Sequence, residues 1–177
     1  MTIAILPLMR VSEQMLNDLK AEIGNTFLSR VDILPPIDSL PNSAYDKSRE
    51  QYNADKVVDF LMENTSEASA EKLIAVMTAD LFVSDMNFVF GAAQKKGRLC
   101  VVSLYRLDQR FYGKDSSYET FKMRAVKEAI HELGHCFGLD HCKSKTCVMA
   151  YSNHMGSVDE KEKTFCDECR ERLRRAL

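Results

Sequence analysis

Nineteen residues toward the end of the chain, His131 to Met149 (HELGHCFGLDHCKSKTCVM), concentrate side chains suited to holding a metal: three histidines, a glutamate between two of them, and three cysteines. His131 and His135 are four residues apart. On a helix they stand one turn above the other on the same side and can aim an imidazole nitrogen at one zinc ion. Glu132 lies one step round such a helix, where a carboxylate reaches a water beside the metal rather than the metal itself, the place a general base needs. Gly138 lets the chain turn sharply, so that His141, ten residues after His131, can return as a third ligand. Three protein ligands leave a fourth position open, which marks a catalytic zinc: water there can be acidified to roughly pKa 7 and can attack a polarised carbonyl. HExxH alone recurs by chance; Gly138, His141 and a capped helix make the pattern specific.

Six cysteines are present, and four of them crowd into the last 36 residues. Cys142, Cys147, Cys166 and Cys169 form two pairs with spacings of five and three, enough to surround a second, closed and structural zinc with four thiolates. That site would tie the segment after His141 to a C-terminal helix, where a satellite of about 35 residues cannot bury enough apolar surface unaided. Disulfides are disfavoured, because MTIAILPLMR is too short and lacks leading basic residues for a signal peptide, so a reducing, cytoplasmic setting is expected. Cys100 and Cys136 are expected to be small buried thiols, and His154 a loop histidine without a role in the site.

These residues need elements to position them. Ile3 to Met9 fits a short buried strand weakened at its end by Pro7. Ser12 opens a helix whose apolar stripe is Met15, Leu16, Leu19, Ile23 and Phe27. Val31 to Leu34 predicts a second strand, and the following proline-rich segment (PPIDSLPNSAYD) a loop. Ser48 to Asn64 predicts a helix, and Leu73 to Val83 one continuous strand buried on both faces, interrupted only by Asp80. Phe88 to Ala93 and Arg98 to Leu107 predict two more strands joined by a hairpin-like turn. Ser116 to Glu119 fits a capping box opening the helix that carries HExxH, with Met123, Val126, Ile130, Leu133 and Phe137 facing the sheet and Gly138 ending it at a positive dihedral.

Composition sets the limits. A chain of 177 residues, 45% hydrophobic and 28% charged, with a formal net charge of −2, suits one globular domain and argues against a generic nucleic-acid binder. The arginine-rich tail does not change this, since Asp159 to Leu177 carries six basic and six acidic side chains. No apolar run of about 20 residues would span a membrane. No membrane partner and no nucleic acid are therefore expected.

HExxHxxGxxH followed by a methionine, here His131, Glu132, His135, Gly138, His141 and Met149, resembles the metzincin clan of zinc peptidases. The continuation through Cys142, Cys147 and then Cys166-x-x-Cys169 resembles the archaemetzincins within it. The resemblance covers residues 131 to 169; upstream, TADLF and NFVFG look similar to the family. Sixteen residues separate Met149 from Cys166, about one fewer than in that pattern, a difference a loop absorbs. The resemblance implies that His131, His135 and His141 bind a catalytic zinc, that Glu132 is general base and acid, and that Met149 forms a hydrophobic Met-turn beneath the metal. Some metzincins place a tyrosine at the spacing of Tyr151 to bind the metal or stabilise the oxyanion. The resemblance does not require that of Tyr151, and packing is the expectation.

The implied fold is α/β (α+β), metzincin-like: a twisted mixed sheet of about five strands with backing and active-site helices. Residues 1–177 would form a single metzincin-like catalytic domain, with an N-terminal subdomain 1–138 ending in the active-site helix and a C-terminal subdomain 139–177 carrying the Met-turn and the four-cysteine site. The expected function is zinc-dependent hydrolysis of peptide bonds by a monomer holding two zinc ions, one catalytic and one structural. Peptide or protein substrate would lie along the edge strand Phe88 to Ala93, and the resemblance suggests an aminopeptidase. No inhibitory propeptide is expected. The alternatives are a catalytically silent zinc- and peptide-binding protein of the same fold, and an amidase acting on non-peptide substrates.

Overall fold

The computed structural model describes residues 1–115 and 117–177. Its centre is a five-stranded mixed sheet of β1 (Thr2–Leu8), β2 (Arg30–Ile33), β5 (Lys72–Met77), β7 (Gly91–Ala93) and β8 (Leu99–Ser103), in the order β2-β1-β5-β8-β7. The first four strands in that order are parallel, and β7 pairs antiparallel with β8 and ends the sheet. A smaller sheet is made by β3 (Tyr45–Asp46), β4 (Gln51–Asn53) and β6 (Leu81–Phe82), ordered β3-β4-β6.

Both faces of the central strands are buried, so their residues divide by parity into two cores. Ile3, Ile5, Ile74, Val76, Cys100 and Val102 face one side, where they meet α1 (Glu13–Phe27) and α3 (Tyr118–Cys136). Ala4, Leu6, Leu73, Ala75, Leu99 and Val101 face the other, against α2 (Ala54–Asn64) and the smaller sheet. The α1 stripe is as expected, and Ser12 caps it by accepting from the Met15 N–H at 3.3 Å. Residues 139–177, with α4 (Met155–Glu160) and α5 (Asp167–Ala176), build no separate core: Leu139, Val148, Met149, Val158, Phe165 and Leu173 join the α1/α3 side.

Several expectations are corrected. The strand expected over Leu73 to Val83 is two, in different sheets, because the chain turns at Thr78–Asp80. Asp80 is buried and has its charge met by Arg106 at 2.7 Å and by the Gln51 amide at 2.9 Å, which an uninterrupted strand would not allow. The helix expected from Ser48 begins only at Ala54, since Asn53 caps it through the Lys56 N–H, and residues 51–53 pair in the smaller sheet. Arg98 to Leu107 is shorter as a strand, giving way after Ser103 to a 3-10 turn at Tyr105–Leu107. The proline-rich loop contains a short 3-10 turn, Asn42–Ala44, and β3. Pro7 does not cut β1 short. Its carbonyl accepts from Ile37 at 3.0 Å on the side where β2 has already ended, so its missing N–H costs no ladder bond.

Candidate active site

Helix α3 carries the first two histidines. The cap expected at Ser116 lies outside the described residues; the observed N-cap is Ser117, whose hydroxyl accepts from the Thr120 N–H at 3.4 Å. At the other end Gly138 has φ +88°, with its N–H bonded to the His135 carbonyl (2.8 Å) and the Leu139 N–H to the Gly134 carbonyl (3.0 Å). That paired closure is the Schellman motif. It reverses the chain so that His141 comes back over the helix.

The three imidazoles converge. Nε2 of His131 and of His135 are 3.1 Å apart, and one ligating nitrogen from each of His131, His135 and His141 lies within 4.8 Å of the others. Zinc held at about 2.05 Å by tetrahedral nitrogens would set them about 3.3 Å apart, so the donor set fits a zinc ion. Backbone carbonyls fix the rings: Nδ1 of His131 donates to Val148 at 2.8 Å, and Nδ1 of His135 to Leu139 at 2.8 Å, leaving Nε2 of each free for a metal. Burial lowers the pKa of all three, furthest for His131, so they are neutral and able to ligate near pH 7.

Glu132 is buried, and its pKa is raised well above the usual range by burial first and then by the Glu128 carboxylate. Its side chain lies against β7, where a Cβ built on Gly91 would stand 2.7 Å from Glu132 Cγ and Oε1. Met149 is fully buried beneath the helix at Gly134, whose missing Cβ makes room for the Met149 sulfur. A glycine inside a helix normally destabilises it; here a side chain from another segment occupies the space.

His131, Glu132, His135 and His141 line one cleft of about 320 Å³, with β7, Phe88 and Phe90, Lys95, Glu128, Tyr151 and Ser152. Larger recesses exist elsewhere, so the assignment rests on chemistry rather than size. The edge strand is shorter than expected, since only Gly91–Ala93 pairs with β8 and Val89 forms a single bridge to Leu81. Tyr151 meets the expectation of packing only in part: its ring sits 5.0 Å from that of His141, yet the residue is 50% exposed and lines the cleft.

The four cysteines meet on the far side of His141. Their sulfurs lie within 4.8 Å of one another, and Cys142 and Cys166 are 3.7 Å apart, close to the roughly 3.8 Å edge of a tetrahedral zinc–thiolate site. The Cys169 N–H near the start of α5 lowers the Cys166 pKa, whereas burial raises those of Cys147 and Cys169. A divalent cation would offset the repulsion of gathering these thiolates. Cys100 and Cys136 are buried away from this cluster, as expected, and His154 caps α4 by accepting from the Ser157 N–H.

Sequence reasoning missed Glu128, Lys161 and Gly91. Glu128 could have been noticed one turn before Glu132 on the same helix face. Nothing local marks the other two.

A mixed α/β sheet backing a helix that presents two histidines and a buried carboxylate, with a third histidine returning after a tight turn, defines a zinc metallopeptidase. The chain belongs to the archaemetzincins: the model of Peptidase family M54 matches residues 8–175. It is 38% identical to the archaemetzincin of Methanocaldococcus jannaschii, across 98% of this chain and 93% of that protein. Among solved structures it resembles the archaemetzincin of Methanopyrus kandleri (33% identity, TM-score 0.88, covering 100% of this chain and 95% of that one). It also resembles a zinc-dependent peptidase from Methanocorpusculum labreanum (30% identity, TM-score 0.84, covering 97% and 99%). Among the described residues, no helix is long and apolar enough to cross a membrane.

Proposed function

We propose that His131 and His135, through their Nε2 atoms, and His141 hold the catalytic zinc and that Glu132 is the general base and acid of peptide hydrolysis. The convergence of three neutral imidazoles beside one buried carboxylate carries this reading. A zinc ion bound there supplies a Lewis acid that acidifies water and polarises the scissile carbonyl. Glu132 takes the proton of the attacking water and returns it to the leaving amine. Substrate lies extended along the free edge of β7, with main-chain hydrogen bonds aligning the scissile bond. Met149 is the Met-turn floor under the histidines, and Tyr151 a rim residue against His141.

Cys142, Cys147, Cys166 and Cys169 hold the second, structural zinc. The chain is one catalytic domain, its N-terminal subdomain closing at Gly138 and its C-terminal subdomain, 139–177, organised by the thiolate site. Four gathered cysteines with no disulfide among them suit a reducing compartment, which supports a cytoplasmic enzyme. The family resemblance supports an aminopeptidase, and a cleft at the small end of the usual ligand-site range suits a short substrate contact.

Glu132→Ala is expected to retain both zincs and abolish hydrolysis of a peptide library. Wild-type inactivity across that library would leave the silent zinc- and peptide-binding alternative standing, and turnover of small amides alone would favour the amidase. Within the library, cleavage only of peptides with a free amino terminus supports the aminopeptidase; equal cleavage of N-acetylated peptides sinks it. Metal analysis of Cys166→Ser should show two zincs falling to about one.

A further inference from the structure

Lys161 and Glu128 form an ion pair at 2.8 Å with side chains 0% and 3% exposed. Taking two charges out of water is costly, and a well-packed apolar pair of similar volume commonly serves stability as well, so stability alone does not explain this pair. Its position does. Glu128 stands one turn before His131 and Glu132 on the same face of α3 and lines the cleft. Lys161, immediately after α4, also brings its ammonium to 3.5 Å from the Ala150 carbonyl and 3.5 Å from Nδ1 of His131. Nδ1 already donates to Val148, so the ammonium lies alongside the ring rather than bonding to it.

One buried cation thus touches the active-site helix, a ligand imidazole and the backbone just before Tyr151 and Ser152, two residues of the cleft wall. The chain up to Met149 has other anchors: the Cys142 N–H bonds the Met149 carbonyl at 2.8 Å and the Val148 N–H the Thr164 carbonyl at 2.9 Å. Beyond Ala150 the described cross-chain polar contact of the wall is the weak one from Tyr151 Oη to Met86 Sδ at 3.9 Å. Two further contacts tie α4 to α3 without reaching the site: Arg124 grips Asp159 at 2.6 Å, and the Lys127 ammonium bonds the Val158 and Asp159 carbonyls at 3.1 Å.

We propose that Lys161 is a positioning residue for peptide binding: through Glu128 and Ala150 it holds the 150–152 wall against the active-site helix and so sets the width of the cleft. This rests on the cleft being the peptide site. Arg124–Asp159 anchors the same α4 element at a distance and supplies the structural control.

The test compares Lys161→Met/Glu128→Gln, which removes both charges and leaves neither unpaired, with Asp159→Asn. The double variant is expected to raise KM for a cleaved peptide about tenfold with kcat within about threefold, while Asp159→Asn changes neither. Glu128→Asp withdraws the carboxylate by one methylene, keeps both charges, and should raise KM about threefold if the double variant does not fold. Hydrogen exchange at the amides of 151–153 should quicken in the Glu128 and Lys161 variants only. That measurement needs no turnover, so it separates failure of this proposal from failure of the peptidase reading. Unchanged KM and unchanged exchange in folded Glu128→Asp, a fall in kcat at constant KM, or the same effects from Asp159→Asn would overturn the positioning role.

Discussion

The sulfur of Met149 occupies the space that a side chain on Gly134 would need, so the glycine inside HELGH and the methionine fifteen residues later are two halves of one contact. Gly134→Ala sets a small gain in helix propensity against an overpacked contact in a buried layer. The net expectation is a loss of about 1–2 kcal/mol in denaturant unfolding, with weaker retention of the histidine-site zinc on dialysis, because the floor under the ligands must move. A variant as stable as wild type would show that Met149 shifts without consequence.

Gly91 and Glu132 form a second such pair, from different elements. A Cβ at Gly91 would stand 2.7 Å from Glu132 Cγ and Oε1 and 2.7 Å from the Val101 carbonyl. The carbonyl belongs to β8 and cannot yield, so either the edge strand or the Glu132 carboxylate is displaced. Gly91→Ala should therefore lower kcat/KM about a hundredfold, the scale expected for misplacing a catalytic group by about 1 Å, while both zincs remain bound. Near-normal activity would mean that Glu132 has room the structure does not show.

His141 and Cys142 are neighbours in the chain yet serve different clusters, and the Cys142 N–H also bonds the Met149 carbonyl at 2.8 Å. Disturbing the thiolate site should therefore loosen the third imidazole. Cys142→Ser is expected to weaken catalytic-zinc affinity about tenfold in competition with a chelator, comparable with the loss of a supporting ligand contact. Unchanged affinity would show the two sites to be independent.

The lowered pKa values of His131, His135 and His141 have a definite sign for stability. In the unfolded chain these imidazoles titrate near 6.5; folded, they resist protonation. Below about pH 6.5 the unfolded state binds more protons, so the stability they contribute is present above that pH and declines as pH falls toward the folded values. Glu132, with its pKa raised, acts in the opposite sense, so the measurement belongs in Glu132→Gln lacking the histidine-site metal. Its melting temperature should fall by several degrees between about pH 7.5 and 5.5. A flat profile would contradict the desolvation of these imidazoles, which is deepest at buried His131.

The helix, its stripe and the clustering of the histidines were legible because they are local: four-residue spacing aligns His131 with His135 whatever surrounds them, and Gly138 signals its turn by lacking a side chain. Cys142, Cys147, Cys166 and Cys169 were legible as a set because two closely spaced cysteine pairs can bring four sulfurs to one point. Local pattern failed where partners lie far apart in sequence. The apolar run 73–83 gave no sign that Asp80 would turn the chain to meet Arg106 and Gln51. Gln51–Asn53 resembled a helical start until pairing with Tyr45–Asp46 and Leu81–Phe82 made it a strand.

By itself, then, the sequence determined which side chains could gather round metal ions and the helix that carries the first two. The tertiary structure alone decided what lies against them: Gly91 beside Glu132, Met149 beneath Gly134, and Lys161 buried between Glu128 and Ala150. The physical reason is that ligand geometry follows from backbone periodicity over one or two turns, whereas the cleft's shape and the environment of its carboxylates depend on packing between segments many residues apart.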